Sequence, residues 1–174
     1  MATIATQAAE AVGFYGYPNI TPERASQFES ASQTFLKGNF VIADGGYVSI
    51  IASDNNGDAL GIATRAGQNN ASDGVVYSEY IPMVPGLQLE MSLLEASDAA
   101  HVLAQATDLW LLPQWQTTSS HHVLDTTSTT DRFLVVRIGL GAVGDAYGKG
   151  GIGDSNCRVL AVPVGSMCLV SPDV

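Results

Sequence analysis

Short apolar runs separated by glycine-containing turns fill residues 38–94 and predict a β-sheet. The runs at 40–43 and 47–51 flank Asp44-Gly45-Gly46, which is a strong hairpin signal. Residues 87–93 alternate strictly between apolar and polar side chains. Leu87, Leu89, Met91 and Leu93 fall on one side of the predicted strand, and Gln88, Glu90 and Ser92 fall on the other. This alternation is typical of a half-buried antiparallel strand in a small barrel or sandwich.

Residues 1–37 differ in character and predict an N-terminal arm ahead of a β-domain at 38–174. Thr21, as an N-cap before Pro22 in the first turn, predicts a short helix inside this arm. The phenylalanines in that helix, Phe28 and Phe35, are seven residues apart and would share one helical face. We therefore expect the arm to pack on its own β-barrel or on a neighbouring subunit, and a partly ordered tail is the alternative.

The second half of the chain continues the β pattern with two interruptions. An alanine-rich segment near 95–107 predicts an inserted helix, and glycines dominate a loop at 139–153. Apolar runs at 133–138 and 158–164 predict further strands. The fold class expected is therefore mostly β: a small antiparallel β-barrel or sandwich with an N-terminal arm and one or two short helices.

Composition excludes several classes of partner. With 46% apolar and 14% charged residues, the 174-residue chain is not intrinsically disordered. Its formal net charge of −10 disfavours binding to nucleic acid or to an anionic membrane surface. The N-terminus resembles no signal peptide, so synthesis and assembly in a reducing cytoplasm are expected. In that setting Cys157 and Cys168 are predicted to be buried thiols rather than a disulfide.

The motifs that suggest chemistry each lack a required part. The G-x-G-x-x-G pattern at 139–144 would need a helix to open at its glycines, but more glycines follow, so a glycine loop is favoured. The acidic turn at 54–58 has Ala59 and Arg65 where a calcium loop needs glycine and glutamate. Adjacent His121 and His122 have no further ligands at metal-binding spacing.

No nucleophile elbow or pair of catalytic carboxylates stands out, so the chain is predicted to be non-enzymatic, with no cofactor and no metal. Trp110 and Trp115, beside a Ser/Thr-rich loop at 116–131, leave one alternative open. They would suit a carbohydrate- or host-receptor-binding β module, although tryptophans in a β-rich core more often simply pack.

The turn-and-strand pattern resembles the decoration (cement) and related minor structural proteins of tailed-phage heads. The similarity lies in a glycine before a short strand, a D-G-x-Y-V-type hairpin, a D-A-L-G-I-A-type strand and a proline-glycine turn before an acidic-apolar strand. These occur here at 38–40, 44–48, 58–63 and 85–91, with further similarity at 143–145 and 156–160. The long aromatic arm and the long glycine loop are departures from that pattern.

The resemblance implies a non-catalytic β-barrel protein, commonly a homotrimer, that binds the outer surface of a phage head. Its partner would be the major capsid protein, whose subunits it would clamp together after assembly in the host cytoplasm. We expect the aromatic residues of the arm to supply the interface: Phe14, Tyr15, Tyr17, Phe28 and Phe35. On this reading, removal of residues 1–37 would abolish capsid binding and leave the barrel folded.

Overall fold

The structure, a computed structural model, describes most of the chain in several segments. These are residues 7–17, 19–51, 59–94, 114–118, 121–125, 132–144, 147–151, 154, 156–164 and 168, with the backbone alone described at 94, 114–118 and 125. The predicted inserted helix at 95–107 and Trp110 lie outside the described residues. Within these segments no helix is long and apolar enough to cross a membrane.

The described residues form eleven strands and no helix, which confirms the predicted β-rich fold. The strands are β1 (Glu10–Phe14), β2 (Ala25–Phe28), β3 (Phe40–Asp44), β4 (Tyr47–Ile50), β5 (Gly61–Ala63), β6 (Tyr77–Pro82), β7 (Leu87–Leu94), β8 (Gln114–Thr118), β9 (His121–Asp125), β10 (Phe133–Ile138) and β11 (Arg158–Pro163). They are divided between two sheets.

Strand β7 is the centre of the first sheet, whose order is β10-β11-β7-β9-β8. One edge of β7 pairs with β11. The other edge pairs with β1 along residues 87–90 and with β9 at Leu93 and Leu94. The β7–β9 pairing is parallel, and the other pairings in this sheet are antiparallel. Strand β7 is therefore enclosed on both edges.

The second sheet is antiparallel throughout, with the order β2-β6-β5-β3-β4. The sheet is curled, so that its two edges approach each other. Glu29, just after β2, forms a single bridge with Val48 of β4. The Ser30 amide donates to the Val48 carbonyl at 2.9 Å beside this bridge. Because this isolated bridge is the only backbone pairing between the two edges among the described residues, the sheet is strongly curled but is not a closed barrel.

A shared apolar core holds the two sheets together. Phe40, Ile51 and Ile62 of the second sheet and its loops pack in one cluster with β7 and β10 of the first. The inward side chains predicted for β7 (Leu87, Leu89, Met91 and Leu93) are all at most 2% exposed. A smaller cluster around Phe35, Val41 and Tyr80 fills the curl of the second sheet. Cys157 and Cys168 are both buried, as predicted.

The outer face of β7 differs from the prediction. Glu90 is 6% exposed and Ser92 is fully buried, whereas a half-buried strand would leave the face that they share open to solvent. Residues 7 and 8 and the glycine loop near Lys149 cover this face and bond to it. Alternation along a strand predicts which side chains share a face, but it does not predict whether another segment of the chain covers that face.

The β3–β4 hairpin forms as predicted. Asp44 pairs with Tyr47, and Gly45 and Gly46 between them have φ values of +57° and +91°. Positive φ at both central residues is the requirement of a type I′ turn, which glycine meets without steric cost.

The N-terminal segment forms strands where a short helix was predicted. Strand β2 occupies 25–28 and pairs with β6, and β1 pairs with β7, so this segment contributes to both sheets. The helix expected to begin at Thr21 is absent from the described residues of the segment. Exposure alternates along β2 because successive side chains of a strand point to opposite faces, and this period of two replaces the predicted helical period.

Candidate protein interface

The predicted interface residues Tyr15 and Tyr17 form a tight turn directly after β1. The Tyr17 amide donates to the Phe14 carbonyl at 2.8 Å, and Gly16 supplies the positive φ of +82° that the third position of a type II turn requires. The Tyr15 amide donates to the Gly86 carbonyl at 2.8 Å and ties the turn to the start of β7. The two tyrosines are 55% and 67% exposed and are held on a fixed backbone.

An apolar groove of about 410 Å³ lies beside this turn. One wall is formed by the end of β6 and the start of β7, and the other by residues 20–23. Phe14 and Ile20, which bracket the two tyrosines in the chain, both line it. The complete lining is Phe14, Ile20, Thr21, Pro22, Glu23, Ile81, Pro82, Val84 and Leu87. We refer to Tyr15, Tyr17 and Ile20 together with this groove as the tyrosine patch.

The remaining two predicted interface residues lie elsewhere. Phe28 stacks on Tyr77 with ring centroids 4.0 Å apart, at the opposite end of β6 from the groove. Phe35 is 1% exposed and belongs to the core of the second sheet. Thus Phe14, Tyr15 and Tyr17 come together, Phe28 is separate, and Phe35 is a core residue rather than a surface contact.

Ile20 is the member of the patch that sequence reasoning missed. Its side chain is 52% exposed, and its amide donates to the Tyr17 carbonyl at 3.2 Å. A signal was present in the sequence, since an isoleucine next to Thr21 and Pro22 falls outside any apolar periodicity. Apolar side chains left outside a periodic pattern are candidates for exposed contacts.

A buried polar cluster fixes β1, and with it the tyrosine patch. Arg158, 2% exposed on β11, donates from Nε to the Glu90 carboxylate at 3.0 Å. Its Nη1 donates to the carbonyls of Ala8 at 2.9 Å and Gln7 at 3.2 Å. The Gln7 amide in turn donates to Ser92 Oγ at 3.0 Å. One guanidinium therefore joins β11, β7 and the segment that leads into β1.

The charges of this cluster keep Glu90 ionised. Burial alone would raise the pKa of Glu90, but hydrogen bonds from Lys149 and Arg158, together with their positive charges, outweigh burial and hold the pKa below its usual value. The Lys149 ammonium donates to the second carboxylate oxygen at 2.6 Å. Glu90 is therefore a structural anion whose acceptor capacity is used by its neighbours, rather than a general base.

Other buried polar groups are also engaged in structural bonds. Glu29 accepts from the Ser78 hydroxyl at 2.5 Å and from the Gln68 amide at 2.7 Å. The Asp154 carboxylate accepts from the amides of Gly144 and Gly151 at 2.6 and 3.0 Å. These bonds secure loops and strand ends, as buried carboxylates commonly do.

The glycine pattern at 139–144 does not open a helix in the described part of the loop. Instead the Gly141 amide donates to the Gly150 carbonyl at 2.8 Å, and Asp154 holds both sides of the loop together. Because no helix N-terminus follows these glycines, the described loop lacks the element on which a dinucleotide pyrophosphate would sit.

The described residues contain no group of three or more His, Cys, Asp or Glu side chains that could hold a metal ion. For the alternative carbohydrate platform, Trp110 lies outside the described residues, and Trp115 is described by its backbone, which pairs with Leu124. Comparison with models of known protein families, with curated proteins and with solved structures found no match. Among the described residues, the tyrosine patch combines two exposed tyrosines with an apolar groove.

Proposed function

We propose that this protein is a non-catalytic structural component of a virion that binds the outer surface of a tailed-phage head and stabilises contacts between capsid subunits. The observation that carries the proposal is the tyrosine patch, two exposed tyrosines on a fixed turn beside an apolar groove. The major capsid protein is the partner that the sequence resemblance implies.

The chemistry of the patch suits a protein partner. Tyrosine is enriched at the energetic centres of interfaces because it offers a large contact area, a polar hydroxyl and little side-chain entropy to lose. Ile20, Pro22 and Val84 add aliphatic surface around the groove. A contiguous apolar surface on an otherwise acidic chain is the kind of feature that marks a protein contact.

Fixed geometry adds to the suitability of the patch. The Tyr15 backbone is bonded to Gly86, and Arg158 and Glu90 hold the segment that precedes β1. A contact surface that is already ordered loses less conformational entropy on binding than a mobile arm would. The patch belongs to the folded body of the protein, so it binds as a preformed surface.

Attachment as a homotrimer, which the resemblance also implies, would strengthen such binding. A patch of this size gives a modest affinity by itself, but three linked copies on a symmetric shell act together through effective concentration. Virion localisation then follows from assembly onto finished heads in the host cytoplasm.

The test is co-sedimentation with empty heads of the phage whose genome encodes the chain. Wild-type protein should pellet with the heads and reach saturation. Replacement of both tyrosines (Tyr15→Ser with Tyr17→Ser) should weaken binding by at least about thirtyfold, because interface-centre tyrosines contribute roughly 2 kcal/mol or more.

The matched control is Tyr77→Ser, which removes a tyrosine that is also about half exposed (51%) but lies at the far end of β6. It should bind heads within about twofold of wild type, as expected for a residue outside the interface centre. Failure of the wild-type protein to bind heads would contradict the proposed function. Equal losses for the double variant and the control would contradict the assignment of the patch.

A further inference from the structure

Basic residues are concentrated on the outer face of the first sheet. The chain has seven lysines and arginines, and three of them (Arg137, Lys149 and Arg158) meet around Glu90. Glu10, opposite Glu90 in the β1–β7 register, is the neighbouring carboxylate on β1. The chain has a net charge of −10, but three cations beside two carboxylates give this face a positive local net charge.

Strand register explains how these side chains come together. Arg137 of β10 pairs with Leu160 of β11, and Leu160 pairs with Glu90 of β7, so the three form a row across the sheet. Residues that pair across neighbouring strands present their side chains on the same face. Lys149 reaches the row from the glycine loop and bonds Glu90.

A pocket of about 300 Å³ lies over this row. Its lining comprises Val12, Gln88, Glu90, Arg137, Leu140, Lys149 and Leu160. The aliphatic side chains are partly buried, whereas Arg137 is exposed and the Lys149 side chain is 50% exposed. None of these residues lines the groove of the tyrosine patch, so the two surfaces are separate.

The three cations are not equally engaged. Arg158 is buried and bonds Glu90 and the carbonyls of residues 7 and 8. Lys149 is paired with Glu90. Arg137 forms no ion pair with any carboxylate of the described residues. The pocket therefore presents one available guanidinium, with Lys149 beside it, above an aliphatic floor.

We propose that this pocket binds an acidic side chain of a partner protein, with an aliphatic neighbour of that residue seated on Val12, Leu140 and Leu160. The guanidinium of Arg137 would grip the carboxylate through two parallel hydrogen bonds, the geometry in which arginine recognises carboxylates. Apolar contact with the floor excludes water and strengthens that charge-assisted bond. This is a second contact surface, and it does not depend on the identity of the partner that the tyrosine patch binds.

A peptide carboxylate fits the pocket better than a phosphate. Glu90 forms part of the wall, and its negative charge opposes a doubly charged anion more strongly than a singly charged one. The aliphatic floor also offers nothing to a phosphate but suits a leucine or isoleucine next to glutamate or aspartate. The charge and the shape of the pocket therefore both favour a peptide segment in which an acidic residue is next to an aliphatic one.

The experiment is a nitrogen-15 NMR titration of the full chain with the blocked peptide acetyl-Leu-Glu-Leu-amide. Saturable shifts are expected at the backbone amides of Arg137, Leu140 and Leu160. The neutral analogue acetyl-Leu-Gln-Leu-amide should bind at least roughly fivefold more weakly, because it lacks the charge-assisted pair. Equal binding of the two peptides, or no shifts at these amides, would overturn the proposal.

Arg137→Gln should weaken binding of the glutamate peptide by at least about fivefold, since it removes the guanidinium fork. Arg65→Gln makes the same charge change on the second sheet, where Arg65 bonds the Tyr77 carbonyl, and should stay within about twofold of wild type. Unchanged shifts of distant amides verify that each variant is folded. Unaltered binding by Arg137→Gln, or tighter saturation of the same amides by inorganic phosphate, would contradict the assignment.

Discussion

His122 joins the two sheets through hydrogen bonds that require a neutral imidazole. Its Nδ1 accepts from the Phe40 amide at 2.9 Å, so this nitrogen carries no proton. Its Nε2 lies 3.3 Å from the Ile51 carbonyl and donates to it. Burial lowers the pKa of His122 to about 4, an effect that the Ile51 bond partly opposes and the nearby His121 reinforces.

Acidification should therefore weaken the fold through His122. The pKa of about 4 in the folded state lies below the ordinary value of 6.5, so between these values the unfolded chain binds more protons. The contribution is complete above about pH 6.5, falls as the pH is lowered, and is lost by about pH 4, at a cost on the order of 3 kcal/mol. Urea unfolding at several pH values across this range measures how the free energy of unfolding changes with pH.

His122→Gln should unfold more easily at neutral pH and should lose most of the pH dependence between about pH 6.5 and pH 4. His121→Gln is the matched control and should keep most of the wild-type slope. An unchanged slope in His122→Gln would show that another group carries the pH dependence.

Glu90 and Glu79 form ion pairs that differ in burial. Glu90→Gln leaves Arg158 buried without its carboxylate and should lower the free energy of unfolding by about 3–5 kcal/mol. Glu79→Gln breaks an exposed ion pair with Arg24 and should change the free energy of unfolding by about 1 kcal/mol or less. Urea denaturation at neutral pH compares the two variants, and similar losses would contradict the structural role of the Glu90 cluster.

At the scale of elements, β1 and β2 make the N-terminal segment part of the folded body. Strand β1 covers one edge of β7, and β2 pairs with β6. Ala9 and Phe35 lie in the two core clusters, and the Arg158 guanidinium bonds the carbonyls of residues 7 and 8. These contacts predict that the β-domain does not stay folded when residues 1–37 are removed.

Deletion of residues 1–37 should abolish cooperative unfolding, because it removes two strands and leaves Arg158 buried with fewer partners. Near-ultraviolet circular dichroism and urea unfolding measure the loss. A deletion protein that unfolds cooperatively with wild-type stability would restore the original idea of a separable arm. For this reason point substitutions, rather than truncation, are the right test of the tyrosine patch.

Local signals predicted the elements whose structure is determined locally. The β3–β4 hairpin follows from two glycines that accept positive φ, and the inner face of β7 follows from strict alternation. The pairing of β1 with β7 joins residues far apart in the chain, and no local pattern encodes it. The covered outer face of β7 was missed for that reason.

The interface prediction was limited in the same way. Phe14, Tyr15 and Tyr17 lie within four consecutive residues, so their clustering required no knowledge of the fold. Phe35 was predicted to share a helical face with Phe28, but residues 25–28 form a strand and Phe35 lies in the core. The basic pocket could not be predicted because Val12, Arg137 and Lys149 meet only through tertiary structure.

At the scale of the whole molecule, the proposed function requires several weak contacts to act together. The sequence resemblance implies a trimer, and linked copies raise the effective concentration of each tyrosine patch at the capsid surface. Size-exclusion chromatography with light scattering should therefore give a species close to three times the 18.2 kDa chain mass. A monomer at concentrations that saturate empty heads would contradict this part of the proposal.

Calorimetry of purified empty heads tests the proposed stabilisation of the phage head most directly. A protein that binds intact heads in preference to dissociated capsid subunits must raise the temperature of head disruption, by an amount that increases with its free concentration until the sites are full. Heads saturated with wild-type protein should show this increase, and heads mixed with the Tyr15→Ser, Tyr17→Ser variant at the same concentration should show little of it. An unchanged disruption temperature with wild-type protein bound to the heads would contradict the stabilising role.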